Sequence, residues 1–327
     1  MRWLIHTDDA WPAPGGVATW TARVVAHLRG RGDEVQVFAR HRSGLPPGTH
    51  GLRQPSFARW GFVGHTLAHL KEPRPDVCLA TTWHVAPLRH RGLVVCHGSD
   101  VVSPALWPAR RRRVLGRARV AAVSRYLAGV ARREGAGAVA ILPAPIAAAG
   151  QPRAMPAVHR WGWAGRMVPG KGGERFVRMV AEARVSAVML GDGPLRGAWQ
   201  HLADRLGARV SFPGWIAADT LAAALEPLAL LALPAERRSD GGEEGLGMAL
   251  IEAAARGVPV VGVRVGGIPE AVGPGLLLDD PDDPAASAAQ MRAWLTPERG
   301  AEAWEWVRRE HGPERTVQAL LRARSLG

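Results

Sequence analysis

Two glutamates, Glu244 and Glu252, lie eight residues apart on either side of a glycine-containing turn. Eight residues make about two turns of an α-helix, so Glu252 would share a face with the start of a helix that Glu244 precedes. A glutamate on an otherwise apolar helix face needs a polar partner, and ribose hydroxyl groups would suit it. The backbone N–H groups of Gly245, Leu246 and Gly247 would be free to bind phosphate. Coincidental spacing on a charged helix is the alternative.

Two cations, Arg166 and Lys171, follow a short apolar run and precede a glycine pair. Arginine offers a planar fork of donors and lysine a compact point charge, so together they could neutralise a diphosphate leaving group. The chain contains only two lysines, which makes the position of Lys171 notable. Solvated surface cations are the alternative interpretation.

A glycine pair and a histidine are the candidate residues of the first half. Gly15 and Gly16 stand between a predicted strand and a predicted helix, where free N–H groups could bind an anion. A tight turn without a ligand is the alternative. His97 ends another predicted strand, the position at which site residues of parallel sheets occur, although a lone histidine is often structural.

Short apolar runs alternate with helix-like stretches along the whole chain, which predicts parallel sheets with crossover helices. The predicted strands are 2–6, 35–39, 77–80, 93–96, 120–123, 139–142, 161–164, 187–190, 210–212, 228–233, 258–263 and 276–278. They indicate an α/β protein of two Rossmann-like domains that face one another across a cleft. We predict an N-terminal domain at 1–150 on the acceptor side, a linker at 147–157, a nucleotide-binding domain at 158–305 and a final helix at 306–327.

Composition agrees with a folded protein of two domains. The chain has 327 residues, of which 47% are hydrophobic and 22% charged. Its formal charge of +13 comes from residues 1–150, where 21 Lys and Arg stand against 8 Asp and Glu. This basic half could bind anionic lipid headgroups, nucleic acid or phosphorylated substrates, or its charge could reflect compositional bias.

The two cysteines, Cys78 and Cys96, each lie in an apolar run that predicts a buried strand. They have no CxxC spacing and no histidine at zinc-finger spacing, so the sequence favours neither a metal site nor a redox motif. The chain has no apolar stretch of about 18 residues and no signal-peptide pattern, so we expect a cytoplasmic protein.

The motifs, taken in order, resemble glycosyltransferase family 4, a retaining family of GT-B fold. The resemblance covers nearly the whole chain and rests on these segments: 15–16, 97–100, 122–124, 165–166, 171–172, 191–194, 244–247, 252–253 and 266–270.

The resemblance implies a role for each candidate residue. The backbone of Gly16, beside Gly15, would contact the donor diphosphate, and His97 would face the transferred sugar. In the second half, the resemblance implies that Arg166 and Lys171 would hold the diphosphate and that Glu244 would face the sugar hydroxyls. Glu252 would bind the ribose, and the backbone at Ile216 would contact the base. The final helix would cross back to the first domain.

A sugar diphosphate already carries a good leaving group, so the protein must mainly stabilise the departing charge, and we expect no metal and no cofactor. The predicted function is transfer of a hexose from a UDP- or GDP-linked donor, with GDP-mannose as one candidate, to a hydroxyl of a glycolipid, polysaccharide or small metabolite. A non-catalytic nucleotide-sugar or polyanion-binding protein and a nucleotide-sugar epimerase are the alternatives. Binding that weakens steeply with salt would favour a polyanion.

We expect no nucleic-acid partner, because no known nucleic-acid-binding module is evident. An anionic membrane surface is the further partner that the basic half suggests. Trp60 beside Arg59 could meet such an interface, and the arginines at 110–113 could join that surface, with a solvated helix face as the alternative.

Overall fold

A computed structural model describes residues 1–8, 10, 15–39, 48–52, 61–88, 90–103, 105, 107–157, 159–217 and 220–325. Unit 1 comprises Met1–Pro145 and Gly312–Gly327, and unit 2 comprises Ile146–His311. The segment that we predicted as a linker, 147–157, therefore falls in unit 2, and the domain limits expected from the sequence stay a prediction. Arg59 and Trp60 lie outside the described residues.

Unit 1 contains a seven-stranded sheet in which every paired strand is parallel. Its strands are β1 Arg2–Thr7, β2 Glu34–Ala39, β3 Thr49–Gly51, β4 Val77–Ala80, β5 Leu93–Cys96, β6 Arg119–Ala122 and β7 Val139–Ile141. Their spatial order is β3-β2-β1-β4-β5-β6-β7. The central strands consist of consecutive apolar residues that are buried on both faces, as expected where crossover helices cover a parallel sheet.

The helices of unit 1 connect these strands. They are α1 Gly16–Gly30, α2 Gly61–Lys71, α3 Ser99–Val102, α4 Pro108–Leu115, α5 Arg125–Arg133 and, near the end of the chain, α13 Pro313–Arg324. Helix α13 packs against α1 and the strands β5, β6 and β7. His27 Nε2 and Glu314 Oε2 lie 2.7 Å apart, and Thr316 Oγ1 donates to Pro143 O over 2.9 Å. The chain thus returns to unit 1 after completing unit 2.

Unit 2 contains a six-stranded parallel sheet. Its strands are β8 Arg160–Ala164, β9 Ser186–Leu190, β10 Val210–Gly214, β11 Leu228–Ala232, β12 Val260–Gly262 and β13 Leu276–Leu277. Their spatial order is β10-β9-β8-β11-β12-β13. Its helices are α6 Gly173–Ala183, α7 Arg196–Leu206, α8 Leu221–Leu225, α9 Met248–Ala254, α10 Ile268–Val272, α11 Pro284–Trp294 and α12 Glu298–Glu310.

The predicted fold class, an α/β protein of two Rossmann-like units with parallel sheets, is confirmed in both units. The parallel sheets explain the continuous apolar runs of the sequence. All five residues of β11, for example, are buried, so this strand shows no alternation of polar and apolar residues. In the part of the chain that the structure describes, no helix is both long enough and apolar enough to span a bilayer.

Candidate functional site

The loop between β8 and α6 is held by the segments that follow β9 and β11. Backbone N–H groups of Gly165 and Met167 donate to Leu190 O over 3.0 Å and to Asp192 O over 2.8 Å. On the other side, Glu236 N donates to Gly170 O over 3.0 Å. The carboxyl ends of three neighbouring strands are thereby connected, at the edge of the sheet where ligands of open α/β sheets bind.

Lys171 is held both at its backbone carbonyl and at its side-chain ammonium group. The indole Nε1 of Trp163, on β8, donates to Lys171 O over 3.1 Å, so the strand fixes the backbone that carries the ammonium group. The Lys171 Nζ then forms an ion pair with Glu244 Oε2, and both side chains are largely buried. Arg166, five residues earlier, is exposed and makes no side-chain hydrogen bond or ion pair within the described residues.

The negative charge of the Glu244 carboxylate is stabilised by more than one hydrogen-bond donor. Burial raises its pKa, but the Lys171 charge and hydrogen bond, together with the backbone N–H groups of Leu246 and Gly247, outweigh burial and hold the pKa below its ordinary value. The carboxylate is therefore an anion between a cation and two backbone amides. Two of the amides that the sequence assigned to phosphate donate to Glu244 in this structure.

A second glycine-containing turn, which follows β12, supports the loop that carries Glu244. Gly267 N donates to Glu244 O over 2.9 Å, and Gly266 N donates to Glu243 Oε2 over 3.1 Å. A Cβ atom on Gly267 would lie 2.1 Å from Gly245 O, so only glycine permits this approach. The close backbone contact fixes the position of Glu244.

Glu252 lies on α9, which begins after Gly247 in the left-handed conformation with φ of 90°. The side chain of Glu252 is 7% exposed, and its neighbours on the helix, Leu250, Ile251 and Ala253, are fully buried. The sequence therefore placed this glutamate correctly on the inner side of a helix. A carboxylate kept at such a position can accept hydrogen bonds from hydroxyl groups.

Ile216 follows the end of β10 and is half-buried, next to Trp215, which is 52% exposed. The guanidinium of Arg196 ties this strand to the turn after β9, because it donates to Phe212 O over 2.8 Å and to Asp192 Oδ2 over 3.1 Å. Sequence reasoning missed Arg196 and Trp163, whose anchoring bonds join residues that only the fold brings together.

In unit 1 the helix α1 begins at Gly16, and Gly15 before it has a φ of 146°, a conformation that favours glycine. Trp20 from the first turns of α1 packs edge-on against the His97 ring, with ring centroids 4.9 Å apart. His97 follows β5, and its Nε2 is buried without a hydrogen-bond partner among the described residues. Burial lowers the pKa of His97 to about 3, so the ring is neutral at pH 7.

Asp100 supports the backbone of the His97 segment. Its Oδ1 accepts the N–H groups of His97 and Gly98 over 3.1 and 2.7 Å. Burial raises the pKa of Asp100 to about 7, even though these backbone donors lower it. The other oxygen, Oδ2, is buried with no partner in the described part of the chain, which agrees with a carboxyl group that resists ionisation.

The four arginines at 110–113 do not form one exposed face. Arg111 is buried and pairs with Glu134, with Nη2 and Oε1 2.7 Å apart. The Arg110 guanidinium lies 3.8 Å from the centre of the Phe62 ring. Only Arg112 and Arg113 are exposed, so two of the four cations support the packing of α4 rather than a charged surface.

The structure joins Lys171, Glu244 and the amides of Leu246 and Gly247 by direct contact within unit 2. Gly15, Gly16 and His97 belong to unit 1, where His97 and α1 are linked through Trp20. The functional roles assigned to these residues, and to Arg166, Ile216, Gly245 and Glu252, stay predictions. His97 directly follows β5, and Arg166 and Ile216 follow the ends of β8 and β10, which agrees with ligand binding at the carboxyl ends of strands.

Residues 159–296 match the family described as Glycosyl transferases group 1. A curated relative from Mycobacterium tuberculosis, a GDP-mannose-dependent alpha-(1-6)-phosphatidylinositol monomannoside mannosyltransferase, is 32% identical in an alignment of 168 positions that covers 43% of this chain and 42% of the relative. A 2-deoxystreptamine N-acetyl-D-glucosaminyltransferase from Streptomyces fradiae is 32% identical over 163 residues, covering 46% of this chain and 36% of that protein. The similarity thus spans less than half the length of these relatives.

Solved structures resemble the whole chain. HepE from Anabaena, in complex with UDP and glucose, superimposes with a TM-score of 0.77 at 19% identity, covering 100% of both chains. WaaG, described as a glycosyltransferase involved in lipopolysaccharide biosynthesis, superimposes with a TM-score of 0.73 at 15% identity, covering 99% of this chain and 100% of the other. At these identities the likeness concerns the fold.

Proposed function

Residues 159–296 of this chain belong to the glycosyl transferases group 1 family and the chain has the GT-B fold, and from this premise we propose that the protein is a retaining glycosyltransferase. It transfers a hexose from a nucleoside-diphosphate sugar to a hydroxyl group of an acceptor. The observation that carries the proposal is the Lys171–Glu244 pair, because it places a cation and two backbone amides around one anion at the ligand edge of the unit 2 sheet.

The Glu244 carboxylate accepts from the Lys171 ammonium and from the amides of Leu246 and Gly247, which are groups that a diphosphate could also use. When a sugar nucleotide binds, its diphosphate takes over the Lys171 ammonium and the amides of Leu246 and Gly247. Arg166, exposed and without a partner in the described residues, supplies a second cation. Glu244 then becomes free to accept hydrogen bonds from the sugar hydroxyls.

The leaving group departs as a nucleoside diphosphate, whose added negative charge is stabilised by Lys171, Arg166 and the loop amides. Lys171 and the loop amides are fixed by the fold before the reaction, so little reorganisation of these groups accompanies bond cleavage. No metal and no cofactor is required for this chemistry. Glu252 binds the ribose hydroxyls, and the backbone at Ile216 and Gly245 contacts the nucleotide.

In unit 1 the backbone of Gly15 and Gly16 is assigned to the donor diphosphate and the neutral His97 to the transferred sugar. A neutral imidazole can donate from one nitrogen and accept at the other, so it suits a hydroxyl group better than an imidazolium would. The buried Nε2 without a partner among the described residues is the atom available for this contact.

We propose a GDP- or UDP-linked hexose as the donor. The mycobacterial relative is named as GDP-mannose-dependent, whereas HepE is described in complex with UDP-glucose. For the acceptor we propose a glycolipid at the cytoplasmic face of an anionic membrane, supported by the excess of basic residues in the first 150 positions. A small-molecule acceptor, as in the Streptomyces relative, is the second candidate.

Thermal stabilisation by a panel of UDP-, GDP- and ADP-sugars tests the binding part of this proposal. One nucleotide class should raise the melting temperature of the wild-type protein but not that of Lys171→Ala. Glu182→Ala, on the exposed side of α6, is the matched control and should respond like the wild type. Failure of every sugar nucleotide to stabilise the wild-type protein would refute the proposal.

A further inference from the structure

Four histidines and one cysteine come together in unit 1. His6 lies on β1 and Cys78 on β4, while His65 and His69 are one turn apart on α2 and His90 precedes β5. His6, His65 and His90 are buried, and the other two side chains are half-buried. Neither the proposed transfer reaction nor the family resemblance uses this cluster.

The sheet register explains why side chains from β1 and β4 meet. In the parallel pairing, Leu4 lies beside Cys78 and His6 beside Ala80, and residues two apart on a strand share a face. His6 and Cys78 therefore point to the same side of the sheet. Helix α2 adds His65 and His69, since residues four apart on a helix also share a face.

The distances suit ligands of one ion. One ring nitrogen of His6, one of His69 and the Cys78 Sγ all lie within 4.8 Å of one another. Cys78 Sγ is 3.8 Å from His69 Nδ1 and 3.8 Å from His90 Nδ1. In a tetrahedral zinc site, Zn–N and Zn–S bonds of about 2.0 and 2.3 Å separate a nitrogen and a sulfur ligand by about 3.5 Å.

His90 is oriented as a ligand would be. Its Nε2 lies 3.0 Å from Leu93 O, and because a carbonyl only accepts, this nitrogen carries the proton. The lone pair of His90 is therefore on Nδ1, the atom that faces Cys78 Sγ. A backbone carbonyl that fixes the tautomer in this way is typical of metal-bound histidines.

His6 and His65 each have one buried ring nitrogen without a hydrogen-bond partner among the described residues. Their Nδ1 atoms lie 3.1 Å apart, so one ring donates to the other. The Nε2 atoms of both rings are buried with no hydrogen-bond partner in the described residues, which is costly in a protein interior. If His6 donates to His65, the lone pair of His6 Nε2 is free to bind a cation.

We propose that Cys78, His69 and His6 bind a zinc ion, with His90, next to Cys78, as the candidate for the fourth position and His65 as the positioning residue that fixes His6. Thiolate and imidazole donors suit Zn²⁺, which is borderline-soft and tetrahedral. The ion would join α2 to β1 and β4, so its role is structural and separate from sugar transfer. His90 also forms part of the wall of a cavity of about 470 Å³.

The test measures zinc by elemental analysis in the full-length protein without a histidine tag, after chelation, reloading with zinc and desalting. About one zinc per chain is expected in the wild type and in two controls, Cys96→Ser, at the other cysteine, which is buried, and His201→Gln, at an exposed histidine of α7. Cys78→Ser and His69→Gln remove a direct ligand and should weaken zinc binding at least about 10-fold, the lower limit for loss of a group that only supports a ligand.

Cobalt provides the second measurement, because a thiolate bound to Co²⁺ gives a charge-transfer absorption that a nitrogen ligand does not. The wild type, Cys96→Ser and His69→Gln should show this band at saturating cobalt, and Cys78→Ser should lack it. His69 is half-buried, so His69→Gln decides the question by zinc affinity if Cys78→Ser does not fold. A wild type that retains no zinc, or variants that retain it as the wild type does, would overturn the proposal.

Discussion

The ammonium group of Lys171 and the carboxylate of Glu244 form an ion pair between two loops that are 73 residues apart in the sequence. The same carboxylate accepts the N–H groups of Leu246 and Gly247. The loops after β8 and β11 are therefore locked together before any ligand binds. A preformed arrangement of this kind reduces the ordering cost that a ligand would otherwise have to offset.

The first prediction concerns the strength of this pair. Lys171→Met leaves a largely buried carboxylate without its cation and should lower the free energy of unfolding by about 1–3 kcal/mol. Glu244→Gln should cost less, because Lys171 can turn towards water. The loss of unfolding free energy in the double variant should be smaller than the sum of the two single losses by about 1 kcal/mol. Urea denaturation in a double-mutant cycle measures this difference.

The same cycle has a predicted pH dependence. Since the folded-state pKa of Glu244 lies below its ordinary value, the stability that its ionisation contributes is present above the ordinary value and is lost as the pH falls through the folded-state pKa. The coupling energy should therefore be present at pH 7 and vanish in strong acid. Strict additivity at pH 7 would show that the two side chains do not interact in solution.

The second prediction concerns the turn before α6. Gly172 has a φ of 65°, and a Cβ atom there would lie 1.8 Å from Pro234 O. Gly172→Ala should destabilise the protein by at least about 2 kcal/mol. Alanine is strained in the left-handed backbone conformation, and its Cβ atom would also clash with Pro234 O. Gly197→Ala is the control, because Gly197 is exposed on α7 with no atom near its Cβ position, and it should change stability by less than about 1 kcal/mol. Equal effects would mean that the turn is not packed as described.

The third prediction uses the raised pKa of Asp100. Its folded-state value of about 7 exceeds the ordinary 3.8, so between these values the folded protein holds a proton that the unfolded chain has released. The stability of the wild type should accordingly fall relative to Asp100→Asn as the pH rises from 4 to 8, by up to about 4 kcal/mol. Asparagine keeps the oxygen that accepts from His97 and Gly98 and cannot ionise.

Denaturant unfolding of both proteins across this pH range checks the third prediction, because other titrating groups cancel in the difference. Asp204→Asn, at an exposed position of α7, should show a constant difference from the wild type. A constant difference for Asp100→Asn as well would contradict the assignment of Asp100 as a buried acid with a raised pKa.

Most of the fold followed from the sequence because parallel strands are continuous apolar runs. The strands Val77–Ala80 and Leu93–Cys96 have the predicted bounds. The strand Thr49–Gly51 was missed, since its three residues are polar or small and two of them are exposed. It pairs with β2 through backbone groups, which a pattern of side chains does not reveal.

The sequence indicated candidate site residues but not the contacts between them. Glycines and strand ends identified Lys171 and Glu244, yet no sequence pattern indicates that these side chains pair. The ligand cluster in unit 1 is harder still, because its members come from separate strands, a helix and a loop. His65 and His69 lie one helical turn apart, but no sequence pattern indicates that His6, Cys78 and His90 join them.

The most direct test of the central claim is release of nucleoside diphosphate from the sugar nucleotide that binds best, with and without an acceptor glycolipid. Wild-type protein should release nucleotide faster with acceptor and form a product of retained anomeric configuration. Glu252→Gln should reduce kcat/KM at least about 10-fold, whereas Glu226→Gln, an exposed glutamate, should not. Binding of the donor without any release or transfer would contradict the assignment as a glycosyltransferase.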